Sequence, residues 1–195
     1  MNKKTIIVLA AAEAFVHIFT VTLFLILILI KGNNCLIKNK NYFEYQKNNE
    51  CAGYASAYVL RSLGIEASGS DIYNEIENKD SLGLVYPTDV PRIFEDRNLH
   101  VELCYNLKLD ALKKDLNDGV PIIVFVKTNT TSNYNHYITL VGYNKDKLFF
   151  FDSLKSEANV DYSEHYNRTI TNEDFIKMWN VDETYKNIYI KVENK

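Results

Sequence analysis

The first 31 residues contain a long apolar run that divides the chain into two parts of different character. Residues 5–30 include no lysine or arginine and end in Leu-Ile-Leu-Ile-Leu-Ile before Lys31. About 20 apolar residues are enough for a helix to cross a bilayer, whereas a cleaved signal peptide has a shorter apolar core and small residues at its cleavage site. The run therefore predicts an uncleaved, single-pass transmembrane anchor within residues 1–31.

The lysines that flank this run do not determine its orientation. Lys3 and Lys4 precede it, whereas Lys31, Lys38 and Lys40 follow it. The positive-inside rule compares such flanks, and here they nearly balance. The sequence thus predicts attachment to a membrane through the run, with a membrane partner as a candidate, but it does not choose the side on which the rest of the chain lies.

The remaining residues are numerous enough for one domain with its own core. Residues 32–41 are rich in Asn and Lys and predict a juxtamembrane linker, which leaves residues 42–195 as the domain. The whole chain has a formal net charge of −3 at pH 7, and residues 1–31 hold three lysines and one glutamate, so the rest is more acidic still. An acidic domain argues against nucleic-acid binding, which normally needs a basic face.

The cysteine and histidine patterns exclude two common kinds of small scaffold. The three cysteines, Cys35, Cys51 and Cys104, are too few and too scattered for a disulfide framework. The sequence has no CxxC or HxxxH pair, so a structural zinc site is not expected. Residues 129–131 and 167–169 match the glycosylation sequon, a short pattern that also arises by chance.

Helical spacing dominates the first half of the domain. Apolar side chains recur at helical intervals after Cys51, and Gly64 follows where a C-cap with positive φ is expected. Further elements are predicted as a short helix capped at Ser70-Asp71 and running to about Ile76, a helix opening at Thr88 with Pro91 in its first turn, a strand from His100 to Tyr105, and a helix from Leu109 to Leu116.

Strand patterns dominate the second half. The β-branched run at residues 120–126 indicates a buried strand, and residues 136–143 and 147–152 predict two strands joined by a short turn. A capped helix at residues 171–179 and a last strand at residues 187–192 complete the pattern. Helices that come first and antiparallel strands that follow predict an α+β fold.

Cys51 stands at the start of the first predicted helix, in the stretch QKNNECAGYASAYVLRSLG at residues 46–64. The N-terminus of a helix carries partial positive charge and free N–H groups, which favour the thiolate form of a cysteine. A thiolate is a good nucleophile, so the position suits covalent catalysis. A lone cysteine is also commonly a small buried hydrophobe, and Cys51 by itself does not separate the two interpretations.

His136 and Asp152 are the partners that such a nucleophile needs. His136 begins one strand of the predicted hairpin and Asp152 ends the other, so the hairpin brings the two side chains close together. There the imidazole would take the thiol proton, and the carboxylate would fix its tautomer and orientation. Gln46, just upstream of the helix, adds an amide that would donate to an oxyanion together with the Cys51 N–H. Taken singly, each residue also has an ordinary structural explanation.

Three segments, QKNNECAGYASAYVLRSLG, NHYITLVGY and FFDSL, together resemble the papain-like cysteine peptidases related to the double-glycine peptidases, which trim bacteriocin leaders ahead of an export transporter. The resemblance covers about residues 42–192. It implies a papain-like fold, with N-terminal helices packed on an antiparallel sheet, a peptide or protein substrate and no cofactor. It also implies the following roles: oxyanion donor for Gln46, nucleophile for Cys51, general base for His136 and orienting carboxylate for Asp152.

The sequence departs from the usual pattern of that family at three places. Ala52 rather than Gly follows the cysteine, and Ser153 rather than Pro follows the aspartate. Gln46 lies one residue closer to Cys51 than is common. One predicted anchor and one predicted domain leave no room for an ATPase, so a transporter-bound leader peptide is not implied as the substrate.

The sequence therefore predicts a membrane-anchored cysteine peptidase that hydrolyses a peptide bond, for example in a leader or secreted peptide. Two alternatives stay open. An acyltransferase with the same triad would pass the acyl group to an amine instead of water, and a degenerate domain would bind a peptide without cleaving it. Ala52 and the short spacing from Gln46 to Cys51 are the features that favour the inactive alternative.

Overall fold

The computed structural model describes residues 15–24 and 34–193. These residues belong to two compact units that divide after Asn34. In the first unit, residues 15–24 are helical and form α1. Among the described residues, no helix combines the length and the apolar character that crossing a membrane requires. Most of the predicted anchor, residues 5–30, lies outside the described residues, and the anchor stays a prediction.

The second unit is an α+β domain built on one antiparallel sheet. Its strands are β1 (Cys35–Leu36), β2 (His100–Cys104), β3 (Ile122–Lys127), β4 (Asn135–Tyr143), β5 (Lys147–Phe151), β6 (Arg168–Thr171) and β7 (Tyr189–Glu193). Its helices are α2 (Cys51–Ser62), α3 (Gly69–Glu75), α4 (Pro91–Glu95), α5 (Leu109–Leu116) and α6 (Asn172–Trp179). The strand order is β2-β7-β3-β4-β5-β6, every pair is antiparallel, and β1 pairs with the end of β4. The predicted α+β class with an antiparallel sheet is confirmed.

Strand β3 contributes to two hydrophobic clusters at once. Ile123 and Phe125 belong to the cluster that includes residues of α2, α3 and α4. Ile122, Val124 and Val126 belong to the cluster that includes residues of α5 and α6. Successive side chains of a strand point to opposite faces of the sheet, so helices cover both faces at β3. This burial on both sides explains why the sequence shows a continuous apolar run there instead of an alternating one.

Helix α2 crosses α3 in backbone contact, and two glycines make this approach possible. A Cβ on Gly53 would lie 2.5 Å from the carbonyl oxygen of Gly69 and 2.6 Å from the backbone nitrogen of Tyr73. A Cβ on Gly69 would in turn overlap the ring of Tyr54. The glycine two residues after Cys51 is therefore needed for helix packing, whereas the position directly after Cys51 accommodates Ala52.

Residues 37–46 form an irregular segment that Arg61 of α2 fixes against the domain. The Arg61 guanidinium lies 2.5 Å from the Glu44 carboxylate and donates to the Asn41 side chain at 2.8 Å. Arg61 is buried, so these charge-assisted hydrogen bonds offset the cost of removing its charge from water. The domain thus begins within the predicted linker, and the segment that Arg61 holds leads directly into Gln46.

Most predicted elements end within two residues of their observed ends, but three details differ. Helix α3 is capped by Ser68 instead of Ser70, and the Ser68 hydroxyl accepts a hydrogen bond from the Asp71 N–H at 3.2 Å. Helix α4 begins at Pro91 instead of Thr88. Strand β6 was not predicted, because its four residues are too few to show an alternating pattern.

We expect Gly53→Ala to destabilise the domain, because the added Cβ would overlap the backbone of α3 rather than a movable side chain. Overpacking of this kind costs about 1–3 kcal/mol in free energy of unfolding. Denaturant titration of the full chain would measure it, with Asn74→Ala, at an exposed position of α3, as the matched control. A Gly53→Ala chain as stable as the parent would show that the helices do not need this glycine.

Candidate active site

Cys51 is the first residue of α2, and only 7% of its surface is exposed. The preceding residue, Glu50, makes no capping hydrogen bond with its side chain, so the first turn of the helix keeps N–H groups available to a ligand. Cys51 is a free thiol and lines a small pocket. The helix start that the sequence predicts at Cys51 is confirmed.

His136 and Asp152 meet across the β4–β5 hairpin. His136 Nε2 lies 2.7 Å from Asp152 Oδ1, and the exposed fractions of the two residues are 3% and 0%. Strand β4 carries His136 near its start, and Asp152 directly follows β5. Because Asp152 occupies Nε2, Nδ1 is the ring nitrogen that remains for a second partner.

The ionisation of this pair is set by burial and by neighbouring charges. Burial opposes the charged form of His136, but the charge and hydrogen bond of Asp152, with a further contribution from Cys51, raise the pKa of His136 to about 10. Burial also opposes the charged form of Asp152, but His136 and then Arg168 hold the pKa of that carboxyl below its usual value. The two shifts favour an imidazolium beside a carboxylate at neutral pH.

Arg168, which the sequence analysis did not single out as a site residue, holds the other oxygen of Asp152. Its Nη1 donates to Asp152 Oδ2 at 2.6 Å, and its Nη2 donates to the Thr128 carbonyl at 2.8 Å and to the Glu157 carboxylate at 3.1 Å. Only 4% of Arg168 is exposed. Charges of alternating sign therefore follow one another from His136 through Asp152 and Arg168 to Glu157.

Asn167 fixes the backbone of Asp152 in both directions. Its Oδ1 accepts from the Asp152 N–H, and its Nδ2 donates to the Asp152 carbonyl, each at 2.8 Å. The Leu154 N–H adds a hydrogen bond to Asp152 Oδ1 at 2.7 Å. Because the Asn167 amide is buried and fully engaged, the sequon at residues 167–169 offers no glycosylation acceptor in the folded domain.

One physical argument could have pointed to Arg168 in advance. A buried carboxylate that orients a histidine needs further donors, and ideally a second cation. Arg168 is the one arginine that follows Arg97 in the sequence, and it lies in the second half of the domain with Asp152. Strand β6 places Arg168 beside β5, but its four residues are too few to show an alternating pattern in the sequence.

Gln46 is joined to the residue that follows Asp152. The Gln46 N–H donates to the Ser153 carbonyl at 2.9 Å, and the Ser153 hydroxyl donates to Gln46 Oε1 at 2.7 Å. These bonds hold the amide oxygen of Gln46 toward Ser153. The amide nitrogen, Nε2, donates to the carbonyl of Asn48, which lies between Gln46 and Cys51 in the sequence. Proline, the usual residue at position 153 in the family pattern, has no hydroxyl and could not make the second bond.

One cluster outside this site has the ligand types of a metal centre. His100, Glu102 and Glu193 hold their ligand atoms within 4.8 Å of one another on the β2–β7 edge. His100 and Glu102 are exposed, and the Lys191 ammonium lies 3.7 Å from the Glu193 carboxylate, where it competes with a cation. We assign no metal site to these residues.

The chain is similar to known peptidases in its family sequence pattern and in its fold. The model of the family described as Peptidase_C39 like matches residues 37–187. A C39-like peptidase from Bacillus anthracis is similar with a TM-score of 0.63 and 13% identity, over 83% of this chain and 98% of that one. No curated protein matches the chain significantly.

Two further solved structures share the fold. A double glycine motif protease from an AMS/PCAT transporter, in complex with the leader peptide, has a TM-score of 0.56 and 14% identity over 83% of this chain and 99% of that one. The peptidase domain of Streptococcus ComA, a bifunctional ABC transporter involved in a quorum-sensing pathway, has a TM-score of 0.59 and 15% identity over 80% of this chain and 100% of that one.

These findings agree with the resemblance that the sequence motifs carry. The family match covers more than half of the chain, and its range includes Cys51, His136 and Asp152. The solved peptidase domains share the fold over nearly their whole lengths. The predicted enzyme class is confirmed at the level of the family. The chain belongs to the Peptidase_C39 like family of cysteine peptidases.

Proposed function

We propose that the domain is an active peptidase that hydrolyses a peptide bond with Cys51 as nucleophile, His136 as general base and Asp152 as its orienting carboxylate. The observation that carries this proposal is the buried His136–Asp152 pair, 2.7 Å apart, with the free thiol of Cys51 at the start of α2 within hydrogen-bond reach of His136. Ordinary packing does not need a buried imidazolium, and its cost is offset only by the charges around it.

The first step of the proposed mechanism is a proton transfer. Asp152 holds His136 through Nε2, so Nδ1 takes the proton of the Cys51 thiol, and the imidazolium favoured at neutral pH is the form that holds this proton. The product is a thiolate beside an imidazolium. The negative charge of Asp152 stabilises the imidazolium. The free N–H groups at the start of α2 stabilise the thiolate.

The next steps are acyl transfer to sulfur and then to water. The thiolate attacks the peptide carbonyl, and the Gln46 amide and the Cys51 N–H donate to the oxyanion. The C–N bond breaks as His136 gives its proton to the leaving amine, which leaves a thioester on Cys51. His136 then takes a proton from water, the hydroxide attacks the thioester, and the proton returns to the thiolate as the acid is released.

We further propose that residues 5–30 hold the enzyme at a membrane and that its substrate is a leader or secreted peptide. The apolar run supports the anchor. The structural neighbours support the substrate class, since one is in complex with a leader peptide and both that protease and the ComA domain come from transporters. An acyltransferase is the alternative for the same site, and the identity of the products separates the two.

Cys51→Ala should reduce cleavage by several orders of magnitude, because removal of a covalent nucleophile removes the whole acyl-transfer route. The measurement is cleavage of a mixed peptide library by the full chain, followed by mass spectrometry in water enriched in oxygen-18. Hydrolysis by the parent chain should add one labelled oxygen to each new carboxyl group. Cys104→Ala, a free cysteine outside the site, is the matched control and should cleave normally. Undiminished cleavage by Cys51→Ala would contradict the proposal, and amine-capped products would indicate a transferase.

Arg168 is predicted to act as a positioning residue that keeps Asp152 ionised. Arg168→Met removes one of the charges that lower the pKa of Asp152, so this carboxyl should protonate at higher pH. The acid limb of the kcat/KM profile should then move to higher pH, and the free energy of unfolding should fall by about 3 kcal/mol or more. Arg168→Lys, which keeps a positive charge, should show a smaller shift of the limb.

Arg92→Met is the control for the Arg168 variants, because the Arg92 guanidinium pairs with Glu77 at the surface. It should change neither the pH profile nor the free energy of unfolding by a measurable amount. Arg168 variants with an unmoved acid limb would show that its contacts serve folding and not the ionisation of Asp152.

A further inference from the structure

A small pocket opens beside Cys51, and the proposed chemistry does not use it. Its volume is about 80 Å³. Apolar and aromatic side chains form most of its walls: Leu84, Val85, Tyr86, Phe125, Tyr137 and Tyr185. Gln46 and Ser153 do not line it, so the pocket is separate from the proposed oxyanion donor.

One wall of the pocket is a loop, residues 80–86, that hydrogen bonds hold in one conformation. The Asp80 carboxylate accepts from the N–H groups of Leu82 and Leu84, each at 2.8 Å. The Tyr73 hydroxyl donates to the Gly83 carbonyl at 2.7 Å. Four of the loop's polar groups are thereby bonded within the domain, so the wall is preorganised.

The same loop is tied to the two elements that carry the nucleophile and the general base. Asn49 Nδ2, two residues before the nucleophile, donates to the Leu82 carbonyl at 3.0 Å. The hydroxyl of Tyr137, which follows the general base, donates to the Val85 carbonyl at 2.9 Å. The pocket wall and the reacting groups therefore keep a fixed spacing, as a site that positions a substrate requires.

A second wall, which adjoins the loop where the Tyr137 hydroxyl meets Val85, is built from packed aromatic rings. The Phe125 and Tyr137 ring centroids lie 4.8 Å apart, and the Tyr185 ring meets Phe125 edge-on at 5.7 Å. Phe125 and Tyr137 are buried, and the pocket surface is mainly apolar, with Asn49, Asp80 and Asn135 as its polar lining residues. Such a surface favours an aliphatic group over a charged one.

The volume limits which aliphatic group fits. A water molecule takes about 30 Å³ in the liquid, and an apolar cavity of about 150 Å³ holds a benzene molecule. At about 80 Å³ the pocket has room for a branched aliphatic side chain but not for an aromatic ring. A glycine has no side chain and would leave the pocket empty.

We infer that the substrate places a side chain of the size of Val, Ile or Leu in this pocket, within two residues of the scissile bond. The inference rests on the proposed function, because the pocket selects a substrate only if Cys51 cleaves it. Filling an apolar pocket beside a reacting centre changes specificity about ten-fold or more. Peptides with an aliphatic residue at one position should therefore be cleaved at least about ten-fold faster than peptides with glycine or phenylalanine at that position.

The test is cleavage by the full chain of a peptide library that varies two residues on each side of the scissile bond, read by mass spectrometry. Tyr185→Ala removes one wall of the pocket and should raise the rate for phenylalanine relative to leucine at the same position. Tyr162→Ala, an 88% exposed tyrosine outside the pocket, is the matched control and should leave the preference unchanged.

Three results are decisive. A preference for aliphatic residues at one position, relaxed toward phenylalanine by Tyr185→Ala alone, supports the inference. Cleavage with glycine equally accepted at every position, or with a preference that Tyr185→Ala does not move, overturns the inference and leaves the proposed function intact. Failure to cleave any peptide of the library overturns the proposed function, and the inference with it.

Discussion

The Asp152 carboxylate has no exposed surface, and the sheet is arranged so that this buried charge is satisfied. A buried carboxylate is tolerated only where hydrogen bonds and opposite charges surround it. His136 on β4 and Arg168 on β6 flank Asp152 at the end of β5, and Asn167 holds its backbone. Because β4, β5 and β6 are neighbours in the sheet, the strand order itself brings two cations to one anion. The orientation of His136, and with it the proposed chemistry, depends on this arrangement.

Cys51, the proposed nucleophile, is positioned by the helical half of the domain, and two sets of contacts join the halves. Arg61 fixes the segment that ends at Gln46, and Gln46 is bonded to Ser153, next to the buried carboxylate. Asn49 and Tyr137 tie the pocket loop to the helix start and to β4. Cys51 lines the apolar pocket, and Gln46, the proposed oxyanion donor, lies outside that pocket.

The parts of the site that depend on local pattern were predictable from the sequence. Helical spacing placed Cys51 at a helix start, and the hairpin placed His136 near Asp152. Arg168 was missed because it comes from a four-residue strand that follows a long irregular stretch, so only tertiary packing brings it to Asp152. The wrong cap of α3 has a similar cause, since Ser68 and Ser70 are equally good capping residues and the path of the chain decides between them. The structural role of Gly53 likewise required knowledge of the helix that crosses it.

The most direct test of the account is the pH dependence of iodoacetamide alkylation at Cys51 in the full chain, with and without His136→Ala. If Cys51 passes its proton to His136 as proposed, the thiolate is stabilised by the neighbouring imidazolium, and alkylation should continue near pH 5. His136→Ala should shift alkylation toward pH above about 8, where ordinary thiols ionise. Cys35 and Cys104, whose thiol pKa values are raised by burial, serve as internal references in the same sample. Parent-chain labelling of Cys51 only above about pH 8, unchanged by His136→Ala, would contradict the account.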